Sequence, residues 1–101
     1  MIPGGRALEY LRLNEKVLEI TRHFFEKSKP AATICHSPQV LISAGVVKGR
    51  RITSWYGIND DLIIAGAEWL DKEVVVDDNL VTARHPGDIP AWMREFVKLL
   101  K

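Results

Sequence analysis

The sequence predicts a mixed α/β domain in which helices pack on a largely parallel sheet with an antiparallel addition. Three observations carry that expectation. The hydrophobic period switches repeatedly between helix-like and strand-like along the chain. The run "KEVVVDDNLVTAR" reads as two strands about a turn at Asp77-Asp78-Asn79, a hairpin. With 101 residues and neither internal repeat nor low-complexity tract, the chain has room for one core and one domain, residues 1–101.

Each element follows from its residues. Over residues 14–29, Val17, Ile20 and Phe24 fall on one helical face, with Leu13 placed to staple the entry. Asn14 is the N-cap, Glu15 and Glu19 sit toward the positive end of the dipole, and Lys27 and Lys29 toward the negative end. Ala31 to Ile34 is short, small and apolar, the profile of a strand buried on both faces. Pro38 suits the first turn of a helix reaching about Ala44, and Gly45 ends it. Residues 51–54 read as another strand. Asn59, Asp60 and Asp61 offer caps for a helix through Ala67, with Leu62, Ile63 and Ala65 as core contacts. Asp88 is placed to cap a last helix lined by Ile89, Met93, Phe96, Val97 and Leu100.

Composition narrows the function. Fourteen Lys and Arg against thirteen Asp and Glu leave a formal net charge of +1, with no bias toward nucleic acid or anionic lipid. No apolar run approaches a membrane span. The first residues carry no basic n-region and no long apolar h-region, so the expected setting is soluble, cytoplasmic and reducing. His23 and His85 have no partner at metal-ligand spacing and read as surface residues. Neither a Cys/His cluster, a phosphate-cradling glycine loop nor a dinucleotide fingerprint occurs, so no metal or cofactor is expected.

The chemistry centres on the single cysteine. Cys35 stands where a buried strand gives way to a helix, at the carboxyl end of the expected sheet, where ligands of open α/β folds gather. A thiol there meets free backbone N–H groups that favour thiolate, and His36 beside it can accept a proton. The arrangement parallels a nucleophile elbow, a sharp strand-to-helix turn that exposes the nucleophile. The residues alone leave a second reading open: a free cysteine is also a small buried hydrophobe.

The segments "PGGRALEYLRLNEKVLEI", "ATICHSPQVLISAGVVKGR", "GINDDLIIAGAEW" and "VTARHPGDIPAWMREFVKLL" resemble the carboxyl-terminal part of the PfpI-like intracellular proteases of the ThiJ/PfpI superfamily. The resemblance covers essentially the whole chain. It implies a flavodoxin-like α/β sandwich with a mostly parallel sheet, related to class I glutamine amidotransferase domains. It implies Cys35 as nucleophile, His36 as its partner, and Glu9 as the acid that orients the histidine from a neighbouring subunit, hence a homo-oligomer. Gly5 and His36 match the positions whose backbone N–H groups form the oxyanion hole. Trp55 falls where the family usually has a tyrosine near the site mouth, so core packing and substrate contact are both open for it. Arg6 could meet a substrate carboxylate or pair with Glu9, but reads first as a surface arginine.

Peptide hydrolysis without a cofactor is the activity this implies. The alternatives are glyoxalase III or deglycase chemistry on methylglyoxal, and a non-hydrolytic redox-sensing or chaperone-like module built on Cys35. Two departures stand out. The family usually has glycine at Ser37, where a hydroxyl is placed to cap the helix begun at Pro38. Relatives also carry further βα units ahead of the "PGG" loop, including an acidic residue that contacts the cysteine; here Met1 and Ile2 read as the end of the strand entering that loop. Without those units a sheet edge and apolar surface are expected to be uncovered, unless another chain covers them.

Overall fold

The computed structural model describes residues 1–2, 4–5 and 8–100. Two helices, α1 (Leu8–Leu11) and α2 (Glu15–Glu26), lead into strand β1 (Ala31–Ile34) and helix α3 (Pro38–Ala44). Strand β2 (Arg51–Ile52), a 3-10 turn at Tyr56–Ile58, helix α4 (Asn59–Ile64) and strand β3 (Glu68–Trp69) follow. The chain closes with the hairpin β4 (Val74–Asp77) and β5 (Leu80–Ala83), a 3-10 turn at Pro86–Asp88, and α5 (Ile89–Leu100).

The main sheet runs β1-β5-β4, with β1 parallel to β5 and β4 antiparallel to it. Ile2 continues the sheet beyond β1 through a parallel bridge to Thr33. β2 and β3 make a separate two-stranded parallel ladder. All four residues of both β1 and β5 are buried, because helices cover the two faces. On one face Ala32, Ile34, Val81 and Ala83 meet Trp92 and Phe96 of α5. On the other, Ala31 and Leu80 join Leu41, Val47, Ile52 and Leu62. The α/β sandwich with a mixed sheet is therefore as expected.

Local chemistry sets the boundaries. The Asn14 side chain accepts the N–H groups of Lys16 and Val17, the cap expected. α2 stops at Glu26 rather than near Lys29, because Ser28 turns left-handed (φ 52°) and the Lys29 N–H returns to the Phe24 carbonyl. Its buried residues are Leu18 and Thr21, and Val17, as expected, packs partly buried against the core with Phe25; Ile20 and Leu13 are exposed, so the staple does not form. The expected strand over 51–54 shortens to two residues, since the Thr53 N–H goes to the side-chain hydroxyl of Thr82 in β5 instead of a backbone carbonyl. α4 enters from the 3-10 turn with Ile58 at its N-cap and no side-chain cap, so Asn59, Asp60 and Asp61 lie inside its first turn. It ends at Ile64 because Gly66 (φ 99°) reverses the chain and sends Ala67 toward β3, leaving Ile63 exposed.

The last helix is rotated from its expected setting. Ala91, Trp92 and Phe96 are buried, while Ile89, Met93, Val97 and Leu100 remain exposed. The indole decides it: Trp92 seats its Nε1–H on the Val81 carbonyl at 3.3 Å inside the core. Asp88 does not serve as a free cap, because Arg84 occupies both of its carboxylate oxygens. No helix among the described residues is long and apolar enough to cross a membrane.

Candidate functional site

β1 ends at Ile34, and the next residue leaves the sheet in a left-handed conformation. Cys35 has φ 61°, rare for a residue with a side chain and recurrent where strained backbone presents a reactive group. Three contacts hold the turn. The Cys35 N–H donates to the Ala83 carbonyl at 3.1 Å, the Cys35 carbonyl accepts the Trp55 N–H at 2.9 Å, and the Ser37 N–H donates to the Ile34 carbonyl at 3.0 Å. Ser37 is fully buried and does not cap α3 as expected. Its hydroxyl instead binds back to both backbone groups of Ile34.

The thiol is free and half-buried. Its Sγ lies 3.2 Å from Nδ1 of His36, within reach for proton transfer between them. The strand, the left-handed turn and Pro38 together put nucleophile and imidazole side by side. Two cavities meet at this point. One, about 460 Å³, is lined by Gly5, Glu9, Cys35, His36 and Gln39. The other, about 670 Å³ and mostly apolar, lies toward Gly4, Ile34, Pro86, Ile89 and Trp92.

Among the described residues, the backbone N–H groups of Gly5 and His36 have no acceptor within the chain. Gly5 turns at φ 105°, a conformation that glycine adopts freely. Glu9, on α1, is exposed on the rim of the His36 cavity and makes no hydrogen bond to the imidazole. Trp55 is exposed, its ring centroid 6.2 Å from that of His36. Arg6 lies outside the described residues. His85 accepts the Gly87 N–H and caps the 3-10 turn, while His23 is exposed beside Lys29. Among the described residues no group of three or more His, Cys, Asp or Glu gathers to hold a metal ion.

Two residues of the site escaped the sequence reading. A Cβ on Gly4 would lie 3.0 Å from the Cys35 Cβ and 3.7 Å from its Sγ, so the missing side chain is what lets the loop approach the thiol. The signal is present in the Gly4-Gly5 pair, of which only Gly5 carries an expected role. Gln39 joins the polar cavity from the first turn of α3, and an isolated glutamine gives no pattern that would mark it.

The DJ-1/PfpI family profile matches residues 1–99. The chain is 67% identical over 101 residues to "Deglycase PfpI" of Pyrococcus furiosus, covering 100% of this chain and 61% of that protein. It is 46% identical to "Putative cysteine protease YraA" of Bacillus subtilis, over 100% of this chain and 60% of that one. The chain thus spans about three fifths of the length of these curated relatives. Among solved structures, a two-domain protein from Anabaena variabilis with DJ-1/ThiJ/PfpI-like and ferritin-like domains superposes with a TM-score of 0.94 at 36% identity, over 96% of this chain and 28% of that one.

Proposed function

The chain belongs to the DJ-1/PfpI family, and from that membership we propose that Cys35 is the nucleophile of a cofactor-independent deglycase, an enzyme that removes α-oxoaldehyde adducts such as those of methylglyoxal. The observation that carries the reading is the Sγ to Nδ1 separation of 3.2 Å on a left-handed elbow open to two cavities. The deglycase name of the Pyrococcus relative favours this over peptide hydrolysis, the activity first expected.

In the proposed reaction the Cys35 thiolate attacks the former aldehyde carbon of an aminocarbinol adduct. The S–C bond forms, the C–N bond breaks, and the amine leaves with a proton from His36. His36 then takes the proton from that carbon and returns it to the neighbouring carbonyl carbon through an enediol. The first carbon is thereby oxidised to a thioester and the second reduced to an alcohol, so no outside oxidant is needed. Water cleaves the thioester and releases lactate and the thiol. Developing negative charge on oxygen would be met by the N–H groups of Gly5 and His36. Glu9 of a second copy would orient the imidazole, which makes the working unit an oligomer.

The test is to incubate the protein with the methylglyoxal adduct of Nα-acetylarginine and with a peptide panel. Release of acetylarginine and lactate, lost in Cys35→Ser, is the expected result. Peptide cleavage without lactate would replace this reading with the second one, a cysteine peptidase, which the name of the Bacillus relative favours.

A further inference from the structure

Gln39 is a polar side chain of the site to which the reaction so far gives no task. It stands in the first turn of α3, whose residues Pro38, Val40, Leu41 and Ala44 are buried. Gln39 itself is half-buried and lines the cavity of about 460 Å³ together with Gly5, Glu9, Cys35 and His36. Its backbone is tied to the elbow, since the Gln39 N–H donates to the His36 carbonyl at 3.0 Å. Among the described residues its side-chain amide makes no hydrogen bond within the chain. A primary amide in the wall beside the nucleophile, with its N–H groups unspent, is available to an oxygen of the substrate.

The chemistry supplies that oxygen. When His36 takes the proton from the first carbon, the C–H electron pair becomes the carbon–carbon double bond, and the carbonyl pair of the second carbon moves onto its oxygen. The charge therefore appears one carbon away from the centre that becomes the thioester, whose own oxygen belongs with the N–H groups of Gly5 and His36. Of the other side chains lining the cavity, an ionised Glu9 only accepts hydrogen bonds, and the imidazole is occupied with the proton. A fixed donor contributes most where charge develops in the transition state.

We propose that Gln39 is a further catalytic residue, its amide N–H holding the oxygen of the substrate's second carbon as the enediolate forms. The proposal rests on the deglycase reading and deepens it by giving that second oxygen a partner. As the thioester carbonyl forms, the first carbon's hydroxyl gives up its proton and the second oxygen gains one, so no net proton or electron enters. With the second oxygen pinned, the imidazole returns its proton to a single face of the second carbon, and one lactate enantiomer is released.

The experiment compares wild type, Gln39→Leu and Gln39→Glu on the methylglyoxal adduct of Nα-acetylarginine, with lactate resolved by chiral chromatography. Gln39→Glu keeps the size of the side chain and, once ionised, has no donor. Both variants should lose about 100-fold in kcat, the cost of one oxyanion donor, with KM within about threefold and lactate shifted toward the racemate. Cys35 alkylation by iodoacetamide and the unfolding midpoint should match wild type, because neither involves the second oxygen. A kcat within about twofold of wild type, or a loss that leaves the enantiomer ratio untouched, would overturn the proposal. A binding measurement separates it from the reaction. Acetohydroxamate carries oxygens on two adjacent atoms, as an enediolate does, and should protect Cys35 from iodoacetamide at a concentration at least about tenfold lower in wild type than in Gln39→Leu. Protection that depends on Gln39 in a protein that releases no lactate leaves the oxygen site standing and removes the deglycase reading; equal protection in both proteins, or none, removes the oxygen site.

Discussion

The hydroxyl of Ser37 closes on Ile34 twice, accepting its N–H at 2.6 Å and donating to its carbonyl at 2.7 Å. The bond pair bridges the ends of the elbow while Cys35 between them holds φ 61°. Glycine at this position would free the turn; serine braces it from within a fully buried site. Replacing Ser37 by Ala leaves the Ile34 carbonyl with the Ser37 N–H but removes both hydroxyl bonds. We expect a loss of about 1–3 kcal/mol, measured by urea unfolding, because a buried polar pairing is broken. No change in the unfolding midpoint would show that the brace contributes nothing.

Gly4 approaches the nucleophile from the other side. An alanine Cβ there would stand 3.0 Å from the Cys35 Cβ and 3.4 Å from the Ile34 carbonyl oxygen, and neither atom sits at the end of a flexible chain. Gly4→Ala should therefore displace the loop from the thiol. We expect slower Cys35 alkylation or turnover by at least about tenfold, with a stability loss of roughly 1–3 kcal/mol from overpacking. Unaltered alkylation and turnover would show that the loop shifts without disturbing the site.

The wall between β5 and α5 is fastened by Arg84, whose guanidinium reaches Asp88 at 2.9 Å and Asp71 at 3.1 Å. Burial alone would raise the Asp88 carboxyl, but hydrogen bonds from the Arg84 side chain and backbone outweigh it and hold the group below the usual carboxylate value. The same hydrogen bonds, from Asp88 first and Asp71 second, raise the arginine further, so it stays charged at every working pH. A carboxyl lowered by folding stabilises the fold above its unfolded pKa, and that contribution fades as pH falls through the lower folded value. Asp88→Asn should lower the unfolding midpoint at neutral pH, and its gap from wild type should narrow below about pH 4. A gap independent of pH would rule out the ion pair as its source.

Glu9 is exposed on α1 at the rim of the His36 cavity, so its substitution removes no core contact. If a second copy's Glu9 orients His36, Glu9→Gln should reduce kcat by at least roughly tenfold while the circular dichroism spectrum and unfolding midpoint hold. Wild-type activity should then fall on dilution in step with the assembled fraction seen by light scattering. Full activity in a monomeric fraction would contradict the shared site.

Much of this was legible in the chain because local chemistry decided it. Asn14 caps α2, Gly45 (φ 76°) ends α3, and the buried run Ala31–Ile34 forms β1, each from a few residues. What was missed depended on distant partners. α5 carries more than one apolar stripe, and only the sheet, which takes the Trp92 indole, chooses between them. β3 has two residues and no alternation to read, and exists only because β2 lies beside it. The Ser37 brace was invisible because a serine ahead of Pro38 suggests a forward cap, whereas the left-handed Cys35 turns its hydroxyl back onto Ile34.

If Cys35 is the nucleophile, it carries the substrate carbon during turnover. Protein quenched in acid at intervals after mixing with methylglyoxal, then measured by intact mass and peptide mapping, tests it most directly. One methylglyoxal-derived adduct is expected on the peptide containing Cys35, forming and clearing at the rate lactate appears. The adduct should persist in His36→Ala, where the proton carrier is gone, and no lactate should form in Cys35→Ser. Lactate formed while Cys35 stays unmodified, or formed equally by Cys35→Ser, would contradict it.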